Sequence, residues 1–388
     1  MKKFLIVCLL VLVAASMTFA GGNKESNVIE LGMIYNMTGS QASLDAPSAS
    51  GAKLAAKEIN EAGGVLGKQI EIVAYDGKSD AETIGMAATQ LVESDNVVAM
   101  FGFSDSDMVL AAAPIAAKAG VVFVSSGATS PKLPAQVPDY LYLACFGDNV
   151  QAAAAAEYAY NTLKAKTVYL LVDKGMEYTL LLGKYFKERF VELGGKVVLE
   201  DTYQTGDKDY SAQITKMKST SPDILFISSG PDEIGTIVKQ FRDAGVDSPI
   251  IGGDGYDTPL LVQIAGNGAN DIYFTTHSLM DPDKGTAEVK KFISAYKSEY
   301  GNIPENAFAG LGYDTVKLLV DAIRRADSED PGKILESLKV TKNLAGVTGA
   351  ITFTGNSPIP QKGVAIIEVQ GGKLTLAAEV VPESVPAP

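Results

Sequence analysis

The sequence predicts an α/β fold of two doubly wound, mostly parallel-sheet lobes, and three observations predict it. Short β-branched runs with the length of buried strands alternate with segments whose apolar residues recur every three or four positions. The alternation restarts near residue 150 as a second unit of the same kind. At 388 residues the chain exceeds what one ordinary core serves, yet no Pro- or Ser-rich linker divides it. Lobes joined by crossings of one chain are therefore expected.

In the first unit, Val28 to Tyr35 reads as a strand. Asp45 then offers a helix cap with Pro47 just inside, and Ala52, Ala55, Ala56 and Ile59 form one stripe that ends at Gly63-Gly64. Ile70 to Tyr75 is a strand, and Asp80 caps a helix carrying Ile84, Ala88, Leu91 and Val92. Val97 to Phe101 is a strand, followed by a helical stripe of Met108, Ala111, Ala112 and Ile115. Val121 to Val124 is a further strand. It exits into Ser125-Ser-Gly-Ala-Thr129, a small, polar loop whose backbone a ligand can approach closely.

The second unit runs helix 150–164, strand 167–172, a helix with Leu181, Leu182, Tyr185, Phe186 and Phe190, and strand Val197 to Tyr203. A helix with Tyr210, Ile214 and Met217, strand Asp223 to Ser228, and a helix with Ile234, Ile237, Val238 and Phe241 follow. Strand 249–252 ends in Gly252-Gly-Asp-Gly255, a second glycine-rich strand exit. Strand 271–276 leads to long helices near 284–300 and 305–326 and a short one at 331–339. Short strands at Gly349 to Phe353 and a hairpin around Gly371-Gly372 close the chain, with a frayed tail at Val385 to Pro388.

A net charge of −13 and no cluster of five or more Lys/Arg disfavour nucleic acid and anionic membranes as partners. Lys2 and Lys3, the apolar run Phe4 to Val13 and Thr18-Phe-Ala20 predict an export signal cleaved after Ala20. Gly21-Gly22 stands where a lipidated Cys would be needed, so a retained anchor is the lesser alternative. Cleavage removes Cys8 and leaves Cys145 alone in an apolar run, which reads as core.

Catalytic and metal templates fail. Gly63 to Gln69 is one residue short of a phosphate loop and carries Gln where Ser or Thr must reach Mg²⁺. Ser50-Gly-Ala-Lys53 and Ser94-Asp-Asn96 lack the Lys-Thr-Gly that completes the penicillin-reactive set. His277 is the sole histidine, against His-based metal sites and triads. Asp105 and Asp107 lack a calcium-loop frame, so no metal or cofactor is expected. What remains suits a small zwitterion. Gly127, Thr129 and Ser106 offer donors to a carboxylate, and Asp254 offers an acceptor to an ammonium. Each has a plainer reading, Asp254 as the Asp of a Gly-Asp-Gly turn and Ser106 as a helix cap.

The ordered set Asn36-Met-Thr-Gly39, Gly51 to Asn60, Gly63-Gly64, Tyr75-Asp76, Gly102, Ser125 to Pro131, Asp173-Lys174, Asp207 to Tyr210 and Ala309 to Asp314 resembles the type I periplasmic solute-binding proteins of the branched-chain amino acid family. These are the extracytoplasmic receptors of ABC importers. The resemblance implies a Venus-flytrap with three crossings near 147, 276 and 350. It divides the chain into an export signal (1–20), a leader (21–27), lobe I (28–147 and 277–350), lobe II (148–276 and 351–380) and a flexible tail (381–388). It implies that Ser106 and Thr129, with backbone at Gly127 and Ala128, hold an α-carboxylate and that Asp254 holds the α-ammonium. Tyr178 and Phe308 match aromatic positions of the pocket, and Asp148 with Gln151 resembles a pair after the first crossing. His277, near the second crossing, could reach the cleft but reads rather as a surface or hinge residue. Leu44 and Gly230 stand where tyrosines are common, which puts an aliphatic ligand in doubt. The expected protein is a periplasmic monomer that delivers an amino acid to a membrane permease and is not an enzyme. The alternatives are a sensory receptor subunit and an exported hydrolase using Ser50 or Ser106.

Overall fold

The computed structural model describes residues 27–388 apart from Asn356. The expected export signal and most of the leader lie outside the described residues. The first sheet contains β1 (Val28–Tyr35), β2 (Gln69–Asp76), β3 (Ala99–Gly102), β4 (Phe123–Ser125) and β5 (Leu141–Leu143), all parallel in the order β2-β1-β3-β4-β5. Its helices are α1 (Ala42–Glu61), α2 (Ala81–Glu93), α3 (Ser106–Lys118) and the short α4 (Leu133–Gln136).

The second sheet contains β6 (Thr167–Asp173), β7 (Lys196–Tyr203), β8 (Ile224–Ser228), β9 (Ile250–Gly252), β10 (Ile272–Thr276), β11 (Val364–Gln370) and β12 (Lys373–Val380). Its order is β12-β11-β10-β9-β8-β6-β7, parallel except that β11 runs antiparallel to both β10 and β12. Around it lie α5 (Asp148–Glu157), which widens into a π-turn at Tyr158–Thr162, then α6 (Glu177–Glu192), α7 (Ser211–Lys218), α8 (Pro231–Asp243) and α9 (Pro259–Ala265). The chain then returns to the first lobe as α10 (Ala287–Tyr300), α11 (Phe308–Ala326) and α12 (Pro331–Lys339). Both faces of each sheet are covered by a separate apolar cluster, the arrangement near-continuous apolar strands require.

Asp80 caps α2 as expected, its carboxylate accepting the Thr83 N–H. Other local readings shift. Asp45 does not cap α1, which starts at Ala42; it is buried in the first turn and accepts the Asn36 N–H at 2.9 Å. Pro47 has no N–H to give the Ser43 carbonyl, which instead accepts from Asn306 Nδ2 at 2.9 Å. On α3 the buried face is Val109, Ala112, Ala113 and Ala116, so Met108, Ala111 and Ile115 sit at its rim. Small residues permit the closest helix contact, α1 on α11: a Cβ on Gly51 would lie 1.8 Å from the Ala309 oxygen.

Three expectations about the end of the chain are corrected. The third crossing lies beyond 350, because Ile351 and Phe353 pack in the first lobe and the Leu143 N–H donates to the Pro358 carbonyl. Gly349 to Phe353 is not a strand; only a Leu344–Ile351 bridge forms there. The tail does not fray. Glu157 of α5 accepts the Glu383 N–H at 3.0 Å, and Asn149 donates to the Pro386 carbonyl at 2.9 Å.

Candidate functional site

Parallel sheets direct the carboxyl ends of their strands to one edge, and ligands gather where the strand order reverses. In the first sheet that reversal lies between β1 and β3, and in the second between β6 and β8. Loops leaving these strands and β9, with Leu44 of α1 and Phe308 of α11, supply both walls of a narrow interlobe cavity of about 10 Å³, room for about one water. Gln41, Leu44, Ser104, Asp105 and Phe308 form the first-lobe wall. Met176, Tyr178, Pro231, Asp254 and Gly255 form the second.

One glutamine ties the base of this cavity together. Gln151, fully buried on α5, accepts from the Asp254 N–H at 3.1 Å and the Thr275 hydroxyl at 2.6 Å. Its amide nitrogen donates to Asp254 Oδ1 at 2.9 Å and Asp148 Oδ1 at 3.1 Å, with Thr129 Oγ1 at 3.4 Å. Asp254 Oδ2 faces His277 Nε2 at 3.1 Å, so the neutral imidazole carries its proton there. His277 is stacked on Phe146 with centroids 4.0 Å apart and meets Phe308 edge-on. Tyr178 accepts the Gly255 N–H at 3.0 Å. A Cβ at Gly253 would come within 2.5 Å of the Tyr178 hydroxyl, which explains the glycine.

Across the mouth the lobes bond directly. Ser130 donates to Glu177 Oε1 at 3.2 Å, and the Glu177 N–H to Asp107 Oδ2 at 3.2 Å. Burial dominates the electrostatics. It raises the Asp148 carboxyl well above the usual range, with the Asp254 charge adding to the effect. Burial pushes Asp105 up to about 7, helped by Asp107, and pushes His277 down against the pull of Asp254. Tyr178 is raised by burial and by the Asp254 and Asp148 charges. Lys362, the buried lysine of the hinge, donates to Thr348 and does not line the cavity.

Of the expected residues, Tyr178, Asp254 and Phe308 line the cavity. The others lie behind the wall. Gly127 spends its N–H on the Phe103 carbonyl at 3.0 Å, and its bare Cα makes room for Phe308, whose ring atoms would lie 2.9 Å from a Cβ. Ala128 donates to Ser125 Oγ, and its carbonyl faces the buried Cys145 thiol at 3.2 Å. Ser106 begins α3, but Asp105 caps it; the Ser106 hydroxyl accepts the Ser130 N–H at 3.3 Å. Thr129 and Asp148 meet through the Gln151 amide and the Asp148 N–H, which donates to the Thr129 carbonyl at 2.7 Å. His277 is a correction, since it is 5% exposed and bonded to Asp254 rather than on the surface. Sequence reasoning overlooked Asp105 and Ser104 as lining residues; their place beside Ser106 at a strand exit was the available signal. Ser50 donates to the Ala46 carbonyl within its own helix.

A family model described as periplasmic binding protein matches residues 28–373. Leu/Ile/Val-binding protein homolog 3 of Brucella melitensis is 28% identical over 362 residues, 93% of this chain and 96% of that protein. The branched-chain amino acid transporter substrate-binding protein LivJ of Streptococcus pneumoniae, solved with isoleucine, is 34% identical with a TM-score of 0.86, covering 92% of this chain and 100% of that one. The leucine-binding protein LivK of Thermotoga maritima is 33% identical with a TM-score of 0.85, covering 92% and 99%. A match that spans nearly every described strand and helix, over two lobes that close on a shared cavity, leaves one conclusion: the chain belongs to the periplasmic binding protein family, with the type I fold.

Proposed function

We propose that the protein is an extracytoplasmic receptor that captures a small amino acid or similar solute between its lobes and presents the closed form to the permease of an ABC importer. The observation that carries this reading is the buried carboxylate of Asp254, which lines a two-lobed cavity with no lysine or arginine in its walls. An ammonium there neutralises a charge that burial makes expensive. Ser106, Gly127, Ala128 and Thr129 form the bonded layer behind the first-lobe wall, from which Ser106 and Thr129 would meet the α-carboxylate of a seated solute, and Phe308 is an apolar wall. Asp148 holds the Gln151 amide, and Tyr178 closes the second-lobe side. Contacts from both lobes make the ligand prefer the closed state, which is how a ligand drives hinge closure. No bond is broken, the protein acts as a monomer, and it is exported by its amino-terminal signal.

Thermal melts of the exported chain against amino acids, aromatic acids, amides and nucleosides test the reading. A ligand at 100 times its Kd adds about 2.7 kcal/mol. Asp254→Ala is expected to weaken an amino-acid ligand by about 2–5 kcal/mol, because the buried ammonium loses its partner. Unchanged affinity in that variant, or stabilisation only by solutes without an ammonium, refutes it.

A further inference from the structure

We propose that Asp105 makes this receptor selective for solutes whose side chain carries a hydrogen-bond donor, a hydroxyl, carboxamide or amine, over aliphatic solutes of the same shape. The inference rests on the amino-acid reading above and deepens it. Asp105 lines the first-lobe wall and is 4% exposed. Its Oδ1 is committed to α3, accepting the Asp107 and Met108 N–H groups at 2.8 and 3.2 Å. Among the described residues no hydrogen bond engages its Oδ2.

Two neighbouring polar groups lie beside it. The Ser104 hydroxyl lines the same wall and faces the buried Asp45 carboxyl. Gln41 lines it too, with no hydrogen bond to its amide among the described residues. Leu44, Phe308, Met176 and Pro231 supply apolar surface around them. An aliphatic side chain would exclude water from Asp105 and Gln41 and return no hydrogen bond, whereas a donor satisfies Asp105 directly. An acidic side chain is disfavoured as well, since it would add a carboxylate beside Asp105 with no lysine or arginine in the cavity wall. The apolar groups fix the shape of the solute, and Asp105 reads its chemistry.

Isothermal titration of the exported chain with two near-isosteric pairs, threonine against valine and asparagine against leucine, tests this. The donor-bearing member of each pair is expected to bind about 5- to 150-fold more tightly, the span of one satisfied against one unsatisfied buried group. Asp105→Ser keeps an oxygen to cap α3 and removes the group at the Oδ2 position, so the threonine-to-valine ratio is expected to fall to within about threefold of unity. Asp105→Thr, which also caps, serves if the serine variant does not fold. Valine binding as tightly as threonine in the unaltered protein overturns the proposal, as does a ratio that survives both variants. Binding of no amino acid at all, alanine and glycine included, instead overturns the amino-acid reading on which it rests.

Discussion

Replacing Gln151 with leucine isolates the part played by the polar network beneath the cavity. The volume is nearly conserved and the site is fully buried, so packing changes little. What disappears is the acceptor for the Asp254 N–H and the Thr275 hydroxyl, together with the donor to Asp254 Oδ1 and Asp148 Oδ1. A neutral hydrogen bond contributes about 1 kcal/mol net and one to a charged group about 1.5–3, with a further cost where the remaining partner stays buried and unpaired. Thr275 can rotate its hydroxyl and Asp254 keeps His277, so the effects will not simply add. The expected loss is about 3–5 kcal/mol. Urea denaturation followed by circular dichroism should show a lower midpoint at an unchanged slope. Amino-acid affinity should fall in parallel, since Asp254 loses the group that orients it. A loss below about 1 kcal/mol would mean that this network is not what fixes Asp254, and the reasoning would fail.

Gly51→Ala would place a methyl 1.8 Å from the Ala309 backbone oxygen, forcing α1 and α11 apart. A loss of about 3 kcal/mol or more is expected in thermal melts, the upper range for overpacking, and an unchanged melt would show that the helices can separate freely. The pH dependence of stability has a definite sign. Burial raises Asp45 and Asp257 to about 6 and Asp105 to about 7, from an ordinary value of 3.8. The folded chain thus keeps protons that the unfolded chain releases, and this stabilisation is complete below about pH 4 and lost as pH rises through 6 to 7. His277, pushed down by burial, acts the other way, its contribution being lost as pH falls below its ordinary 6.5. Three carboxylates outweigh one imidazole, so urea midpoints of the ligand-free protein should fall from pH 5 to pH 7.5; midpoints that rise over that range contradict the assignment.

The alternation of strands and helices was legible because both lobes bury whole parallel sheets, which demands long apolar strands and one-sided helices. The elements that escaped are those defined by tertiary contact. α9 is seven residues long and opens on Pro259 in a stretch with little periodicity. β5 is three residues that read only as apolar core. The rim of α3 was mistaken for its face because alanines surround the helix and blur its polarity. At the site, the Gly252–Gly255 exit pointed to a loop that lines the cavity, with Asp254 a carboxylate between glycines, whereas the Ser125–Thr129 exit lies behind the wall. The part of His277 was illegible. A lone histidine after a strand carries no local mark of the Phe146 ring beneath it or the carboxylate 3.1 Å away. The same holds for Gln151, whose partners lie as many as 124 residues away.

The charge placement also bears on how closure and selectivity are linked. Asp148 and Asp254 are both buried at the base of the cavity, joined through one amide, and the buried lysine of the hinge bonds instead to Thr348 beside Asp314. Burial raises the Asp148 carboxyl, while Asp254 is met by two donors, the Gln151 amide and His277, and by no lysine or arginine. Closing the lobes removes water from that carboxylate and therefore opposes closure. A solute that brings an ammonium reverses the sign of this term, because its charge is stabilised most where water is excluded. A solute of equal size without a cation fills the space and leaves the opposing term in place, so it binds the open and closed forms with little difference and shifts their populations little. On the proposed role of Asp254, recognition of the ammonium and the drive to close are one interaction, and weakening Asp254 should reduce the ligand-induced compaction seen by small-angle scattering together with affinity, never one without the other.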